Sequence, residues 1–138
     1  MNTYSHKVQY YETDQMKIVH HSNYIRWFEE ARIDYMEQIG VSYAALEEKG
    51  FISPVLSVNC DFKSMTRFGE TVLILTELKE FKNVKYKFSY TVLDSVTKEL
   101  RAKGESSHCF IDNDGNVISL KREDKNLFEL FQREVSNS

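Results

Sequence analysis

The chain has 138 residues, of which 41% are hydrophobic and 28% are charged, and its formal net charge is -3 at pH 7. This composition is typical of one globular domain, which we expect to span residues 1–138. The lack of a basic surplus argues against nucleic acid as a partner. Two cysteines, Cys60 and Cys109, provide neither a disulfide scaffold nor a zinc framework. No segment has the pattern of a signal peptide or a membrane span, so a soluble, cytoplasmic protein is expected.

Hydrophobic periodicity divides the chain into a helical part followed by a sheet. Apolar residues recur near every 3.6 positions after residue 22 and at every second position from residue 52. Ser22 or Asn23 is the expected N-cap of the first helix, and Gly40 ends it. In chain order, the predicted elements are a strand at 4–11, a polar loop at 12–21, a helix at 22–40, a short helix at 42–50, strands at 52–64, 71–81, 84–92 and 99–111, a hairpin turn with a short return strand at 117–118, and a helix at 122–135.

The predicted strands have one clearly apolar face. In the strand at 84–92, the residues on this face are Val84, Tyr86, Phe88, Tyr90 and Val92. The strand at 71–81 is apolar on both faces, which indicates an interior position in the sheet. One long amphipathic helix and about five antiparallel strands predict an α+β fold in which a sheet wraps a helix.

One stretch, YYETDQMKIVHHSNYIRWFEEAR at residues 10–32, places a polar loop directly before the long helix. An aspartate in a turn, such as Asp14, commonly hydrogen-bonds the backbone of that turn. The alternative is a catalytic carboxylate that faces the helix N-terminus. The first backbone N–H groups of a helix lack intrahelical partners and lie at the positive end of its dipole. Both interpretations of Asp14 are open at this point.

The same stretch, together with the order of the elements after it, resembles the hotdog-fold acyl-CoA thioesterases of the 4-hydroxybenzoyl-CoA thioesterase-like family. The resemblance covers residues 4–120 and depends on the spacing of Asp14, Val19, His21, Tyr24, Phe28, Glu29 and Arg32. It implies a curved antiparallel sheet around one central helix, an acyl-CoA substrate, and Asp14 as the catalytic carboxylate. Lys17 departs from the family, which commonly has glycine there, and glycine permits an unusual backbone angle.

Thioester hydrolysis needs a carboxylate that attacks the carbonyl carbon or activates a water, together with donors for the oxyanion. The sequence leaves both roles open for Asp14, and it predicts oxyanion donors among the backbone N–H groups of residues 21–24. The predicted catalytic residues are Asp14, His21 and Tyr24. The predicted substrate-binding residues are Asn23, Lys63, Arg67 and Lys85.

Each of these residues also has an ordinary structural interpretation. Lys63, Arg67 and Lys85 could meet the phosphates of coenzyme A, although most surface lysines are simply solvated. Tyr24 could belong to the core with its hydroxyl near the pocket. Adjacent histidines such as His20 and His21 diverge, and no further ligand has suitable spacing, so neither a metal nor a cofactor is predicted.

Three functions are compatible with a hotdog fold. An acyl-CoA thioester hydrolase is favoured over a non-catalytic acyl-CoA-binding protein, because a binding protein has no need of Asp14. A dehydratase or hydratase would carry a different histidine-centred motif. A curved sheet of this size also has open edges that need protection. We therefore expect a homodimer that continues the sheet across subunits, or a homotetramer, with active sites at the subunit interface.

Overall fold

The computed structural model describes residues 2–136, and within them it has five strands, four helices and a 3₁₀ turn at Tyr10–Glu12. The strands are β1 (Asn2–Lys7), β2 (Val55–Phe62), β3 (Thr71–Lys82), β4 (Lys85–Asp94) and β5 (Leu100–Cys109). The helices are α1 (Ser22–Gln38), α2 (Tyr43–Glu48), α3 (Leu120–Glu123) and α4 (Lys125–Ser136). The main elements follow the predicted order along the chain.

The five strands form one antiparallel sheet in the order β1-β3-β4-β5-β2. β4 lies at the centre of the sheet, and β1 and β2 are its edges. α1 packs across the inner face, and α4 packs against β3. The predicted α+β fold, with an antiparallel sheet around one long helix, is confirmed.

The long helix buries the stripe that its 3.6-residue period predicts. The buried apolar residues of α1 are Tyr24, Trp27, Phe28, Ala31, Tyr35 and Met36. Phe28 stacks on Tyr90 of β4 with ring centroids 4.3 Å apart. Gly104 of β5 leaves room for this contact, because a Cβ at that position would lie 2.5 Å from Phe28 Cε2. The glycine therefore marks a place where the helix approaches the sheet closely.

The alternation of the central strands is largely as predicted. Tyr86, Phe88, Tyr90 and Val92 are all buried on the inner face of β4. The prediction that Val84 belongs to this face is wrong, since Val84 lies in the β3–β4 turn beside a residue of positive φ. β3 is an interior strand, as expected.

Several predicted strands are longer than the observed ones. The first strand ends at Lys7, because Tyr10–Glu12 forms the 3₁₀ turn instead of continuing it. The predicted strand at 52–64 is reduced to β2, and Ile52 forms only an isolated bridge with Ile111. The return strand at 117–118 is likewise a single bridge, between Val117 and Ile111.

The predicted helix at 122–135 is in fact two helices. α3 ends at Glu123, and the Asp124 carboxylate accepts a hydrogen bond from the Leu127 N–H at 3.1 Å in the first turn of α4. An aspartate in this position caps a new helix. Within residues 2–136, no helix has the length and apolar content needed to span a membrane.

Candidate active site

The loop that carries Asp14 is a tight hairpin. Thr13 and Val19 form an antiparallel bridge, and the Asp14 N–H donates to the Ile18 carbonyl at 2.9 Å. Lys17, the last turn residue, has φ of +65°, in the left-handed region that favours glycine. A three-residue turn that ends in this conformation is a common hairpin connection. The loop therefore retains, with a lysine, a backbone angle that glycine would adopt readily.

The Asp14 carboxylate is half-buried and held on one side only. Its Oδ1 accepts a hydrogen bond from the Met16 N–H at 2.8 Å, which is the local turn bond considered as the ordinary interpretation. Its Oδ2 has no hydrogen-bond partner among residues 2–136. The local bond therefore fixes the carboxylate and leaves its second oxygen available to react. The Lys17 side chain is exposed and forms no ion pair within the same residues.

Asp14 lines a cleft of about 390 Å³ between the loop, the start of α1 and the segment after β2. Its lining residues are Asp14, Ile18, Val19, His20, His21, Tyr24, Phe62, Lys63, Ser64 and Met65. The structure thus brings together the three predicted catalytic residues and one predicted binding residue, Lys63. Phe62 meets Tyr24 edge-on, with ring centroids 5.2 Å apart, and gives the cleft an aromatic wall.

Tyr24 connects this cleft to the core. Its side chain is buried, and its hydroxyl shares a hydrogen bond of 2.9 Å with Thr66 Oγ1. The Thr66 carbonyl in turn accepts from the Val19 N–H at 2.8 Å. Burial raises the pKa of Tyr24, so the phenol is neutral near pH 7. Tyr24 and Thr66 together tie α1, the Asp14 hairpin and the segment after β2 to one another.

The N-terminus of α1 differs from the prediction. His21, not Ser22 or Asn23, occupies the N-cap position. The N–H groups of Asn23 and Tyr24 donate to the carbonyls of His20 and His21 at 3.0 and 3.3 Å, and the Ser22 N–H donates to His20 Nδ1 at 3.2 Å. Within residues 2–136, the His21 N–H is the one predicted oxyanion donor that has no partner.

Asn23 does not line the cleft. Its buried side chain donates from Nδ2 to the carbonyls of Glu12 and His20, at 2.8 and 3.3 Å. These two carbonyls lie at the two ends of the loop that carries Asp14. In this structure the Asn23 amide closes that loop, and it does not face a substrate.

Arg67 and Lys85 also lie outside the cleft. Arg67 forms an isolated antiparallel β-bridge with Ile18, and its side chain is exposed beside the hairpin, close to the cleft. Lys85 pairs with Cys109 at one end of β5, whereas the Lys63 N–H bonds to the Arg101 carbonyl near the other end. In one chain, Lys85 is therefore separated from Asp14 by the length of β5.

Sequence reasoning missed Glu12, Phe62 and Thr66. Phe62 alternates with polar residues in the predicted strand, and this pattern could have indicated that it lies beside the cleft. Glu12 and Thr66 are buried polar residues whose partners lie far along the chain, and no local pattern identifies such residues. Among residues 2–136, no three His, Cys, Asp or Glu side chains come together as a metal site.

The comparisons with known proteins agree with this geometry. The family model described as the thioesterase-like superfamily matches residues 8–133. The chain belongs to this superfamily. The crystal structure of a DHNA-CoA thioesterase from Staphylococcus aureus superposes with a TM-score of 0.90 at 30% identity, covering 95% of this chain and 88% of the other. The predicted hotdog-fold thioesterase is therefore confirmed.

Two curated relatives also carry acyl-CoA thioesterase names. The protein named "Putative acyl-CoA thioesterase YneP" from Bacillus subtilis (strain 168) is 35% identical over 108 residues, which is 78% of each chain. The acyl-CoA thioesterase YbgC of Helicobacter pylori (strain ATCC 700392 / 26695) is 31% identical over 78 residues, or 56% of each chain.

Proposed function

We propose that this thioesterase hydrolyses acyl-CoA thioesters to a carboxylic acid and coenzyme A in the Asp14 cleft. The observation that carries the proposal is that one cleft contains both the Asp14 carboxylate and the N-terminus of α1. The relatives named for acyl-CoA and DHNA-CoA thioesterase activity support this substrate class.

Asp14 acts in one of two ways. Its Oδ2 attacks the thioester carbonyl and gives an anhydride that water then hydrolyses, or it takes a proton from the water that attacks. In both routes the carbon–sulfur bond breaks, and the coenzyme A thiolate leaves and takes up a proton. The His21 N–H, at the positive end of α1, is available to stabilise the oxyanion.

The other predicted residues have supporting roles in this proposal. Tyr24 and Phe62 provide the wall against which the acyl group packs next to the reacting carbonyl. Lys63 on the cleft and Arg67 beside it form no ion pairs within residues 2–136, so both cations are available to the coenzyme A phosphates.

We also propose that two copies pair along β2. Val55, Leu56, Val58 and Phe62 of this edge strand are all between 41% and 52% exposed, although large apolar side chains are usually covered. Antiparallel pairing of two β2 strands places the end near Lys85 of one copy beside the Phe62 end of the other. This arrangement would bring Lys85 toward the second copy's cleft, which is consistent with an active site at the subunit interface.

The assembly is tested by light scattering at micromolar concentration. We expect a dimer or a tetramer for the unmodified chain. Val58→Lys places a charge on the proposed interface, and we expect this variant to shift toward the monomer. Val96→Lys is the matched control, because Val96 is exposed in the β4–β5 turn and does not belong to the β2 edge strand. A monomeric unmodified chain contradicts the pairing.

The chemistry is tested with Asp14→Asn and a panel of acyl-CoA thioesters, by following release of the free thiol. Asparagine keeps the hydrogen bond to the Met16 N–H but removes the charge. We expect kcat to fall by about 10²-fold or more, which is the scale of lost general-base catalysis, with KM largely unchanged.

Asp112→Asn is the matched control for this substitution. Asp112 also accepts a backbone N–H in its own turn, from Asp114 at 2.9 Å, but it lies outside the cleft. Near-normal turnover by folded Asp14→Asn would reject Asp14 as the catalyst. The absence of thiol release by the unmodified chain from every thioester of the panel would instead favour an acyl-CoA-binding protein without this activity.

A further inference from the structure

A second carboxylate, Glu12, lies at the base of the hairpin that carries Asp14, and it is only 4% exposed. Its Oε2 accepts a hydrogen bond from Trp27 Nε1 at 2.7 Å, deep in α1. Its Oε1 accepts from the Gln9 N–H at 2.8 Å and pairs with His6 Nε2 at 2.8 Å. One side chain thus contacts β1, the 3₁₀ turn and α1 together.

The backbone of Glu12 closes the loop as well. Its carbonyl accepts from the His20 N–H at 2.9 Å and from Asn23 Nδ2 at 2.8 Å. Glu12 and His20 are the two ends of the loop that holds Asp14. The carboxylate therefore fixes the loop to the core, and the carbonyl fixes the two ends of the loop to each other and to α1.

Burying a carboxylate is unfavourable unless hydrogen bonds replace its water. Burial alone would raise the pKa of Glu12. The hydrogen bonds from the Gln9 N–H, His6 and Trp27 lower this pKa by more than burial raises it, so the net pKa is below its usual value. Glu12 is therefore ionised near neutral pH, and both of its oxygens act as acceptors. An apolar residue of similar size would fill the space without these bonds, so packing alone does not account for a carboxylate here.

We propose that Glu12 is a positioning residue for thioester hydrolysis: its buried carboxylate holds the Asp14 hairpin in register with the N-terminus of α1. The inference depends on the proposed function, because it concerns the placement of the proposed catalyst. Glu12 does not line the cleft, so it acts only through Asp14 and the loop. A displacement of about 1 Å at a reacting group can lower the rate by about 10²-fold.

Glu12→Gln is the sharpest perturbation of this contact. Glutamine has the same size, but its NH₂ group must face either the Trp27 N–H or the Gln9 N–H, and both are donors. The donor pair repels, so the loop must shift. We expect kcat to fall by about 10- to 100-fold, with KM within about three-fold of its original value because the cleft walls remain. Amide hydrogen exchange at residues 13–19 is expected to become faster.

Glu30→Gln is the matched control. Glu30 is an exposed carboxylate that faces the other ring nitrogen of His6 at 3.6 Å, so its loss leaves the Glu12 contacts in place. We expect its kcat and its exchange rates to match those of the unmodified chain. If Glu12→Gln does not fold, Trp27→Phe removes one donor and retains the carboxylate, and a smaller fall in kcat is expected.

The decisive measurement is made in the Asp14→Asn background. If Glu12 acts through Asp14, then adding Glu12→Gln or Trp27→Phe there changes the residual kcat by less than about two-fold, because coupled sites are not additive. The same fold-loss in both backgrounds would indicate a general structural role and would overturn the proposal. A kcat within about three-fold of normal for Glu12→Gln alone would also overturn it. Failure of the proposed function has a different signature, which is no thiol release by the unmodified chain, whereas full activity in Asp14→Asn rejects Asp14 as the catalyst.

Discussion

His108 should make this protein lose stability as the pH falls below neutrality. The residue is fully buried in β5, and its Nε2 pairs with Ser106 Oγ at 2.7 Å. Burial, and then the nearby Arg32 cation, lower the pKa of His108 from 6.5 to about 3. The Pro54 backbone opposes this shift, although Nδ1 forms no hydrogen bond of normal geometry. The folded protein therefore holds His108 neutral.

No side chain around His108 supplies a negative charge that would stabilise a proton on its ring. Arg32 donates to the Tyr90 hydroxyl at 3.2 Å, and Tyr86 stacks on the histidine ring at a centroid distance of 5.2 Å. The ring is therefore surrounded by a cation, neutral phenols, a serine and the apolar ring of Phe88. Burial raises the pKa of Tyr86 and of Tyr90, so neither phenol supplies a negative charge.

The sign and size of the effect follow from linkage. The pKa of His108 is depressed in the folded state, so its contribution to stability is complete above pH 6.5 and is lost as the pH falls from 6.5 toward 3. In this pH window the unfolded chain binds a proton at His108 and the folded chain does not. At about 1.4 kcal/mol per pH unit, the free energy of unfolding falls by about 2 kcal/mol between pH 7.5 and pH 5 from this group alone.

The measurement is urea unfolding at fixed protein concentration from pH 5 to pH 8, followed by the fluorescence of Trp27, the single tryptophan. His108→Gln keeps an amide that can bond Ser106 and removes the titration. We expect this variant to be less stable at pH 7.5 but to lose about 2 kcal/mol less than the unmodified chain on going to pH 5. Equal losses for His108→Gln and the unmodified chain would refute the reasoning.

Two further predictions concern the backbone. Lys17→Gly should raise the free energy of unfolding by about 0.5–1 kcal/mol, because relief of the left-handed conformation outweighs the unfolded-state entropy that glycine adds. Lys98→Gly, at φ of +64°, should give a similar gain in the free energy of unfolding. Neither substitution should move the acid limb of the pH–rate profile. An upward shift of this limb in Lys17→Gly would show that the Lys17 ammonium acts on Asp14. Gly104→Ala should lower the free energy of unfolding by about 1–3 kcal/mol, since its Cβ collides with Phe28 and the Asn59 carbonyl; an unchanged melting temperature would contradict this.

Most of the fold could be predicted because its signals are local. The buried stripe of α1 and the inner face of β4 follow from periodicity alone, since each depends on residues two to four positions apart. Two of the errors occur where a single side chain ends an element. Asp124 starts a new helix inside a continuous helical pattern, and the bonds of Glu12 to Gln9 and Trp27 end the first strand early.

The candidate site was predicted less completely, for a physical reason. Asp14, His21 and Tyr24 lie within one motif, and the structure places all three on one cleft. Asn23 shares the same motif, but its amide turns inward to the Glu12 carbonyl. A sequence motif records which residues belong together. It does not specify which of them face the substrate, because that depends on contacts with residues such as Thr66 that are distant in sequence.

Two departures from local preference lie within three residues of Asp14. Lys17 takes a left-handed angle that disfavours lysine, and Glu12 buries a charge. Departures of this kind concentrate at functional sites and persist only where the surrounding structure fixes them. Here the fixing contacts belong to Glu12, whose bonds reach α1 and β1, whereas the Lys17 side chain is exposed. The position of Asp14 should therefore tolerate a change at the turn residue and respond strongly to a change at the buried carboxylate. Comparing kcat for Lys17→Gly and Glu12→Gln therefore distinguishes two contributions to the position of Asp14: the backbone shape of the hairpin and its attachment to the core.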